Sequence, residues 1–457
     1  MPLEIQVDTL RTETDRSLLR RRLLALTWPV VAEYALQVVS GMVDMMMVGR
    51  LGRVAVAAVG VCYYPLFFSV SVFLGVAVGV TALISRLTGA RDDAAVVVAT
   101  RQAFWLAATP ATLVGVGYGL AAPSIVAAMG ADASVAPVAT DFLRWSALGA
   151  VAFLWTQVMN AAVRGGGDTR TPLVIGAGVS VTNFVLGYVL IFGQLGLPAL
   201  GVRGSAIASS AARVVGALAL LIVLLSRNTP VHLRVSTIGR IDGPLLWRLL
   251  KVGLPSAGER ALQTLGMTSF TSVVVGLGTT ALAAHQLTLT AESVSFTPAF
   301  AMGIATSVIV GQQLGAADAR GAQVAASESI RWALAMMLGF SLIFWFLGAW
   351  YLRLFTGDQE VLELGAAMLK IAAVSQPVMG LAYVVNGVLR GAGDTLTPMV
   401  STPVGIWVIR MSVVLVLIHA WGWGLEAAWF AMVFDWGTRS AIGLWRFQTG
   451  RWRLVRI

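Results

Sequence analysis

The chain has 457 residues, of which 57% are hydrophobic and only 12% are charged, and its mean hydropathy is +0.81. A soluble protein of this length carries roughly twice that charged fraction, so the composition excludes a soluble globular fold and indicates a polytopic membrane protein. The net charge of +10 does not indicate a nucleic-acid-binding face, because the basic residues lie between apolar segments.

Apolar segments long enough to cross a bilayer as helices recur along the whole chain. They predict an all-α polytopic membrane fold. Several exceed the minimum length of a span, so we expect tilted or kinked helices. In chain order, the twelve segments are residues 23–48, 55–85, 94–120, 137–162, 172–193, 203–226, 249–276, 281–313, 322–352, 362–388, 398–420 and 424–446.

Lys and Arg residues predict the topology of these segments. With the N-terminus placed in the cytoplasm, the cytoplasmic segments hold 22 basic residues and the outer segments hold 4. This bias follows the positive-inside rule and predicts an even number of spans with both termini in the cytoplasm. We therefore expect cytoplasmic tails at residues 1–22 and 447–457, the first without the apolar core of a cleaved signal peptide.

One motif occurs twice, as RGGGDTRTP at residues 164–172 and as RGAGDTLTP at residues 390–398, an offset of 226. The repeat predicts two six-span units, an N-lobe at 23–226 and a C-lobe at 249–446, joined by a polar cytoplasmic linker at 227–248. Because six is even, both units enter the membrane from the same side, and a pseudo-two-fold axis runs along the membrane normal. The same offset pairs Pro29 with Pro255, Glu33 with Glu259, Gln37 with Gln263 and Asn160 with Asn386.

The doubled motif itself is interpreted as a helix start. Thr171 before Pro172 fits an N-cap followed by proline at the first helical position, and Asp168 and Asp394 can cap the helix or pair with basic residues. A hinge of a transport gate is the alternative. The motif is not a phosphate-binding loop, since it lacks Gly-Lys-Ser/Thr.

The first apolar segment carries Glu33, Gln37 and Asp44, which form a polar stripe along one face of a helix. An ionisable residue inside a span is costly and marks a functional site by default. Glu33 and Gln37 recur in the second repeat, which fits a shared packing role. Asp44 does not recur, because its match is Phe270. We therefore predict that Asp44 titrates or binds a cation.

Glu292 also breaks the repeat, because its match is Leu66. Two interpretations stay open: a second cation or substrate site, or a paired scaffold carboxylate. Asp435 and Arg439 are predicted to form a structural ion pair at i and i+4, and Arg213 is interpreted as a counter-ion or a residue near a span end. The other polar side chains that can meet Asp44 are Gln157, Asn160, Asn183 and Ser205.

Sequence signatures of enzymes and of metal sites are absent. The three histidines have no metal-ligand spacing, and the chain has neither a nucleophile elbow nor a Walker motif. The single Cys62 excludes an internal disulfide framework. We predict no cofactor and no metal site. Because a Walker motif is missing, we do not expect ATP hydrolysis by this chain, and transport would be driven by a gradient of a coupling ion, H⁺ or Na⁺.

Four segments carry a resemblance to a known family: VDMMMVGRLG at 43–52, GVTALISRLTGARD at 79–92, GIATSVIVGQQLGAAD at 303–318 and the doubled RGxGDTxTP. Over essentially the whole chain, the sequence resembles the multidrug and toxic compound extrusion (MATE) family. It is closest to the branch that resembles the DNA-damage-inducible F type and more weakly similar to the norfloxacin exporters.

The resemblance implies a V-shaped bundle of twelve helices in the cytoplasmic (inner) membrane of a prokaryote, acting as a monomer. It implies an antiporter that expels small cationic or amphipathic molecules, either drugs or metabolites, against inward H⁺ or Na⁺.

Family site residues carry over only in part. The first-span Gln and Asp match Gln37 and Asp44, and the remaining matches are Gln157, Asn160, Asn183 and Ser205. The proton-coupled branch has Asp four residues after the fifth-span Asn, where this chain has Gly187. In the Na⁺-type branch an acid lies in the seventh span, where Gln263 stands near its position and Glu259 lies one turn earlier. The resemblance therefore does not decide between H⁺ and Na⁺ as the coupling ion, and it strengthens Glu292 as a candidate for a second ion-coupling residue.

Competition of an ion and a cationic drug for Asp44, with a contribution from Glu292, is enough for antiport, because a ligand shifts an equilibrium only through differential affinity. Rocking of one bundle against the other would then give alternating access. A flippase for lipid-linked oligosaccharides or other lipids is the first alternative, although it needs a strongly cationic cavity. A sensor or membrane-integral enzyme is the second, against which the intact duplicated body argues.

Overall fold

The computed structural model describes residues 16–226 and 231–455. Parts of three predicted segments lie outside the described residues: the first 15 residues of the N-terminal tail, residues 227–230 of the linker, and residues 456–457 of the C-terminal tail. The described chain is helical, and most consecutive helices are joined by short turns.

Residues 16–226 form seven helices. Their bounds are α1 Arg16–Gly49, α2 Arg53–Gly89, α3 Asp93–Leu120, α4 Ala122–Ala128, α5 Ala136–Gly165, α6 Arg170–Phe192 and α7 Val202–Leu225. The short helix α4 was not predicted. A 3₁₀ turn at Val235–Thr237 follows, and the side chains of Gln102 and Trp105 on α3 bond the backbone of residues 238–242. The second part of the predicted linker is therefore held against α3.

Six long helices follow in residues 231–455. Their bounds are α8 Gly243–Val275, α9 Thr279–Gly315, α10 Ala319–Leu352, α11 Gln359–Gly391, α12 Leu396–Trp421 and α13 Leu425–Gln448. Within α12, a π-helical segment at Val404–Arg410 separates two α-helical parts. A 3₁₀ turn at Arg451–Leu454 follows α13, and its Trp452 is buried.

Each of the twelve predicted apolar segments coincides with one long helix, with at most one residue beyond the helix end. Ten of the helices in the described part of the chain are long and apolar enough to cross a membrane. The two other long helices, α8 and α13, are more polar because they carry buried charges. Those charges are paired: Glu259 with Arg390, and Asp435 with Arg439.

The described residues form two compact units. We call residues 29–88 and 92–251 the N-unit, and residues 16–28, 89–91 and 252–455 the C-unit. The chain passes from one unit to the other inside α1, after Trp28, and inside α8, after Lys251, and it enters the C-unit briefly at residues 89–91.

The predicted lobe and tail boundaries differ from these units. The predicted boundary between residues 22 and 23 falls within α1, whose first turns belong to the C-unit. Hydrophobic burial explains this assignment, because Leu19, Leu23 and Leu26 pack with Ala305, Val308, Ile309 and Ala325. Arg22 adds a hydrogen bond of 2.6 Å to Gln312.

The doubled loop starts a helix in both units, although the predicted N-caps are wrong. Thr171 lies inside α6, which begins at Arg170. The carboxylate of Asp168 instead accepts hydrogen bonds from the backbone N–H groups of Arg170 and Thr171, at 2.9 and 3.0 Å. Thr397 likewise lies inside α12, and its N–H donates to Asp394. The aspartate ahead of each helix therefore caps free N–H groups of the first helical turn, which is the role that the sequence allowed for Asp168 and Asp394.

Candidate functional site

A cavity of about 240 Å³ lies within the N-unit, between α1, α5, α6 and α7. The polar side chains come from all four helices, so the cavity depends on the packing of distant parts of the sequence. Its lining residues are Glu33, Gln37, Ser40, Gly41, Asp44, Phe153, Thr156, Gln157, Asn160, Ile175, Gly176, Val179, Ser180, Asn183, Ser209, Arg213 and Gly216.

The structure brings six of the predicted site residues to this cavity: Glu33, Gln37, Asp44, Gln157, Asn160 and Asn183. Ser205 is buried near the start of α7 and does not line it. One turn further along α7, Ser209 takes that place. The predicted residues Glu259, Gln263 and Glu292 belong to the C-unit.

Asp44 is held by Asn183. The Nδ2 atom of Asn183, on α6, lies 2.8 Å from Oδ1 and 2.9 Å from Oδ2 of Asp44, on α1. Asn183 is buried and Asp44 is half-buried. A hydrogen bond to an ionised acceptor is stronger than one between neutral groups, so the amide fixes the carboxylate in the cavity wall while leaving it accessible.

The departure from the family pattern at Gly187 has a steric counterpart. Gly187 lies one turn after Asn183 on α6 and is buried. A Cβ atom at this position would lie 3.0 Å from Cε of Met47 on α1. A side chain at this position would therefore require the terminal methyl of Met47 to shift by a few tenths of an ångström.

Arg213 also lines the cavity, which the sequence analysis did not predict. It was interpreted as a counter-ion or a residue near a span end, yet it lines the cavity from α7. Its guanidinium carbon lies 4.8 Å from the ring centre of Phe153, a cation–π contact. It is also close enough to Asp44 for the two charges to attract each other. An available signal was its repeat match, since residue 213 pairs with Arg439.

Glu33 and its repeat match Glu259 are both engaged in buried ion pairs. In the N-unit, Nη2 of Arg164 lies 3.3 Å from Oε1 of Glu33. In the C-unit, Nη2 of Arg390 lies 2.7 Å from Oε1 of Glu259, and Thr402 also donates to that oxygen. The first residue of each doubled loop thus neutralises the duplicated glutamate of its own unit, which supports a shared packing role for both glutamates.

The C-unit has a counterpart of the cavity that is almost filled. It measures about 10 Å³ and is lined by residues that include Glu259, Gln263, Tyr383, Trp436 and Arg439. Aromatic side chains occupy the space, because Tyr383 replaces Gln157 and Trp436 replaces Ser210. The offset of 226 relates the two linings by pairing Glu33 with Glu259, Gln37 with Gln263, Gln157 with Tyr383, Asn160 with Asn386, and Arg213 with Arg439.

Glu292 is buried in α9 with polar partners. Its Oε1 atom lies 3.4 Å from Nε2 of Gln376, and the guanidinium of Arg410 is close enough to attract its charge. Arg410 also contacts Asp435 at 2.5 Å, and Asp435 in turn binds Arg439. Within the described chain, Glu292 thus joins a buried network of two acids and two arginines.

Comparison with known proteins gives the family. The MatE family profile matches residues 29–189 and again residues 255–416. The chain belongs to the MATE family. The two matches begin at Pro29 and Pro255, which the sequence repeat pairs at its offset of 226. Because MATE proteins are transporters, this MATE chain is a membrane transporter and not an enzyme.

Curated bacterial relatives match this MATE chain along nearly its whole length. It is 29% identical over 442 residues to a probable multidrug resistance protein NorM of Thermotoga maritima, which covers 95% of this chain and 93% of the relative. It is 31% identical to a protein of the same name from Bradyrhizobium diazoefficiens, with 94% of each chain covered. The protein is thus a multi-pass membrane protein with bacterial homologues in the multidrug efflux family.

Solved structures share the fold. The bent form of the MATE transporter VcmN of Vibrio cholerae matches with a TM-score of 0.87 at 20% identity, covering 96% of this chain and 98% of that chain. A MOP superfamily transporter from Pyrococcus furiosus matches with a TM-score of 0.86 at 22% identity, covering 97% and 100%. Both matches support the all-helical MATE fold.

Proposed function

We propose that this MATE transporter is a secondary antiporter that exports small cationic or amphipathic molecules in exchange for H⁺ or Na⁺. The observation that carries the proposal is the placement of Asp44, which Asn183 holds at 2.8 and 2.9 Å in the wall of the N-unit cavity. A carboxylate that is fixed yet reachable can bind either a cationic substrate or a coupling cation. Gln37, Gln157 and Asn160 supply further hydrogen-bonding groups to the same cavity.

The proposed exchange rests on competition at Asp44. With Asp44 ionised, the cavity attracts a cationic substrate. Binding of H⁺ or Na⁺ at Asp44 removes that attraction and favours substrate release. Each ligand shifts the conformational equilibrium only by its differential affinity for the two states, so competition for one charge is sufficient for coupling. Rocking of one bundle against the other supplies the alternating access.

Glu292 is proposed as a second coupling residue of this mechanism. Gln376 and Arg410 give Glu292 polar surroundings in the C-unit. Asp435 is in direct ion-pair contact with both arginines of the buried network, whereas Glu292 is not in such contact with either of them. Glu33, Glu259 and Gln263 are also proposed as site residues. The ion pairs of the two glutamates, and the close packing around Glu259 and Gln263, favour a supporting role for them.

The further proposals concern location and branch. We propose that the protein is a monomer in the cytoplasmic membrane of a prokaryote. Both termini are proposed to lie in the cytoplasm, which the distribution of Lys and Arg supports. Assignment to the branch that resembles the DNA-damage-inducible F type stays a prediction. A lipid flippase is less well supported, because the cavity lining carries two carboxylates, Glu33 and Asp44, and one guanidinium, Arg213.

Dye transport in inverted membrane vesicles tests the proposal. Separate H⁺ and Na⁺ gradients, each higher inside the vesicle, should drive accumulation of a cationic dye by the wild type, and the effective gradient identifies the coupling ion. Asp44→Asn should abolish the gradient-driven part. Asp141→Asn is the matched control, because Asp141 pairs with Arg203 away from the cavity lining. Wild-type accumulation by Asp44→Asn at equal expression would contradict the proposal.

A further inference from the structure

The guanidinium of Arg213 lies in the cavity wall, and among residues 16–226 and 231–455 no carboxylate is in ion-pair contact with it. Within the described part of the chain, its contacts are the cation–π stack on Phe153 and the longer-range attraction to Asp44. Asp44 itself is bonded by Asn183. An arginine inside a membrane-spanning segment is costly unless it is paired or serves a function. Because Arg213 lines the cavity, its guanidinium can donate hydrogen bonds to a group bound there.

The repeat shows which group an arginine at this position binds in the C-unit. Arg439, the match of Arg213, makes two hydrogen bonds to Asp435 on its own helix, at 2.5 and 2.7 Å. Asp435 is four residues before Arg439, and the residue four before Arg213 is Ser209. The N-unit thus keeps the arginine and lacks its carboxylate partner.

The position that corresponds to this carboxylate in the N-unit, Ser209, lies in the cavity lining. Ser209 and Arg213 both line it, as does Asp44. In the C-unit, the corresponding position is occupied by Asp435, and the cavity there is closed by Tyr383 and Trp436. The N-unit therefore offers an anionic group from outside the protein a space next to a guanidinium, and it offers a cationic group a separate contact at Asp44.

We propose that Arg213 is the anion-binding residue of the cavity and that the preferred substrates are amphipathic zwitterions. The carboxylate of such a molecule pairs with Arg213 in the way that Asp435 pairs with Arg439, and its amine faces Asp44. Guanidinium–carboxylate pairs are frequently bidentate, which gives them geometric selectivity as well as strength. This inference rests on the proposed transport function and names its substrate class.

A matched pair of substrates tests this assignment. A rhodamine dye as its methyl ester is a cation, and the corresponding free acid is a zwitterion on the same scaffold. The purified full-length protein is reconstituted into liposomes, and initial rates of gradient-driven transport give KM for each dye. We expect the wild type to show a lower KM for the free acid than for the ester.

Variants at Arg213 and Ser209 change that preference in defined ways. In Arg213→Gln the ratio of the ester KM to the acid KM should fall about tenfold, and Arg213→Lys should retain part of the preference because it keeps the charge. Ser209→Asp introduces the carboxylate that the C-unit has at Asp435 and should lower the ratio as Arg213→Gln does. Arg203→Gln is the control, since Arg203 pairs with Asp141 outside the cavity lining, and it should keep the wild-type ratio.

Three results would overturn the assignment. Equal KM values for acid and ester in the wild type would remove the zwitterion preference. An unchanged ratio in both Arg213→Gln and Ser209→Asp would remove Arg213 as its cause. Loss of transport of both dyes in both variants would make Arg213 a scaffold residue. If the wild type transports the ester under a gradient, the proposed antiport stands whichever of these occurs, whereas no gradient-driven transport of either dye would defeat both proposals.

Discussion

Arg164 reaches 131 positions back along the chain to Glu33, and the two buried side chains approach to 3.3 Å. The same relationship exists between Arg390 and Glu259, again across 131 positions. The doubled loop motif therefore does more than start a helix. Its leading arginine ties the end of one helix to the first helix of the same half, in a region where an uncompensated charge is costly.

Breaking this pair should destabilise the protein. Arg164→Met leaves the carboxylate of Glu33 buried and unpaired, and we expect a loss of about 3–5 kcal/mol in the free energy of unfolding. Thermal unfolding in detergent measures the change. Arg203→Met removes an exposed pair with Asp141 and should cost at most about 1 kcal/mol. Equal unfolding temperatures for the two variants would contradict the scaffold role of Arg164.

The space beside Gly187 decides whether a second carboxylate can be added. Gly187→Asp should lower the unfolding temperature, because it puts a carboxylate at a buried position and its Cβ atom, 3.0 Å from Cε of Met47, requires that methyl to shift. Shortening that neighbour should restore stability, so the double variant Gly187→Asp with Met47→Ala is expected to unfold at a higher temperature than Gly187→Asp alone. Met47→Ala by itself is the control. If the double variant is no more stable than Gly187→Asp, contact with Met47 is not the obstacle.

Glu292→Gln separates the two interpretations of the C-unit carboxylate. The amide keeps its capacity to bond Gln376 and removes the charge that faces Arg410. If Glu292 is a coupling residue, Glu292→Gln should reduce ion-driven dye uptake several-fold and should change the free energy of unfolding by no more than about 1 kcal/mol. The matched control is Glu360→Gln, at an exposed position in the first turn of α11. Normal uptake with a lowered unfolding temperature would instead identify a scaffold carboxylate.

Asp435 holds two buried arginines, so its neutralisation should be costly. It contacts Arg410 at 2.5 Å and makes two hydrogen bonds to Arg439. In Asp435→Asn both guanidinium groups lose their ionic partner, and we expect the free energy of unfolding to fall by at least about 3 kcal/mol. Chemical or thermal unfolding of the purified protein measures this, with Asp141→Asn as the control. A variant as stable as that control would exclude a structural role for the Asp435 network.

The helices and one ion pair could be predicted from the sequence because they depend on local pattern. Stretches of about twenty apolar residues fix the spans, and the i, i+4 spacing of Asp435 and Arg439 predicted a pair that the structure confirms. The polar segments α8 and α13 were recognised as spans even though buried charges lower their hydropathy. The predicted N-cap at Thr171 was wrong, because the helix begins at Arg170 and Asp168 accepts hydrogen bonds from the N–H groups of Arg170 and Thr171.

The parts that could not be predicted join distant positions. The approach of Met47 to Gly187 and the pairing of Arg164 with Glu33 depend on how helices pack, which periodicity does not encode. The exposure of Arg213 to the cavity was also inaccessible, although comparison of Ser209 with Asp435 across the repeat would have shown that the arginine lacks a partner. Of the predicted cavity residues, Ser205 missed the lining by one helical turn.

The contrast between a cavity of about 240 Å³ in one half and about 10 Å³ in the other has a consequence for how a duplicated transporter diverges. The two halves retain the same glutamate, glutamine, asparagine and arginine positions, and bulky side chains such as Tyr383 and Trp436 close only the second site. The side chains that line the open cavity can therefore change without altering the closely packed site of the other half. New substrate ranges should then arise by exchange of side chains in a single half, with the membrane architecture left intact.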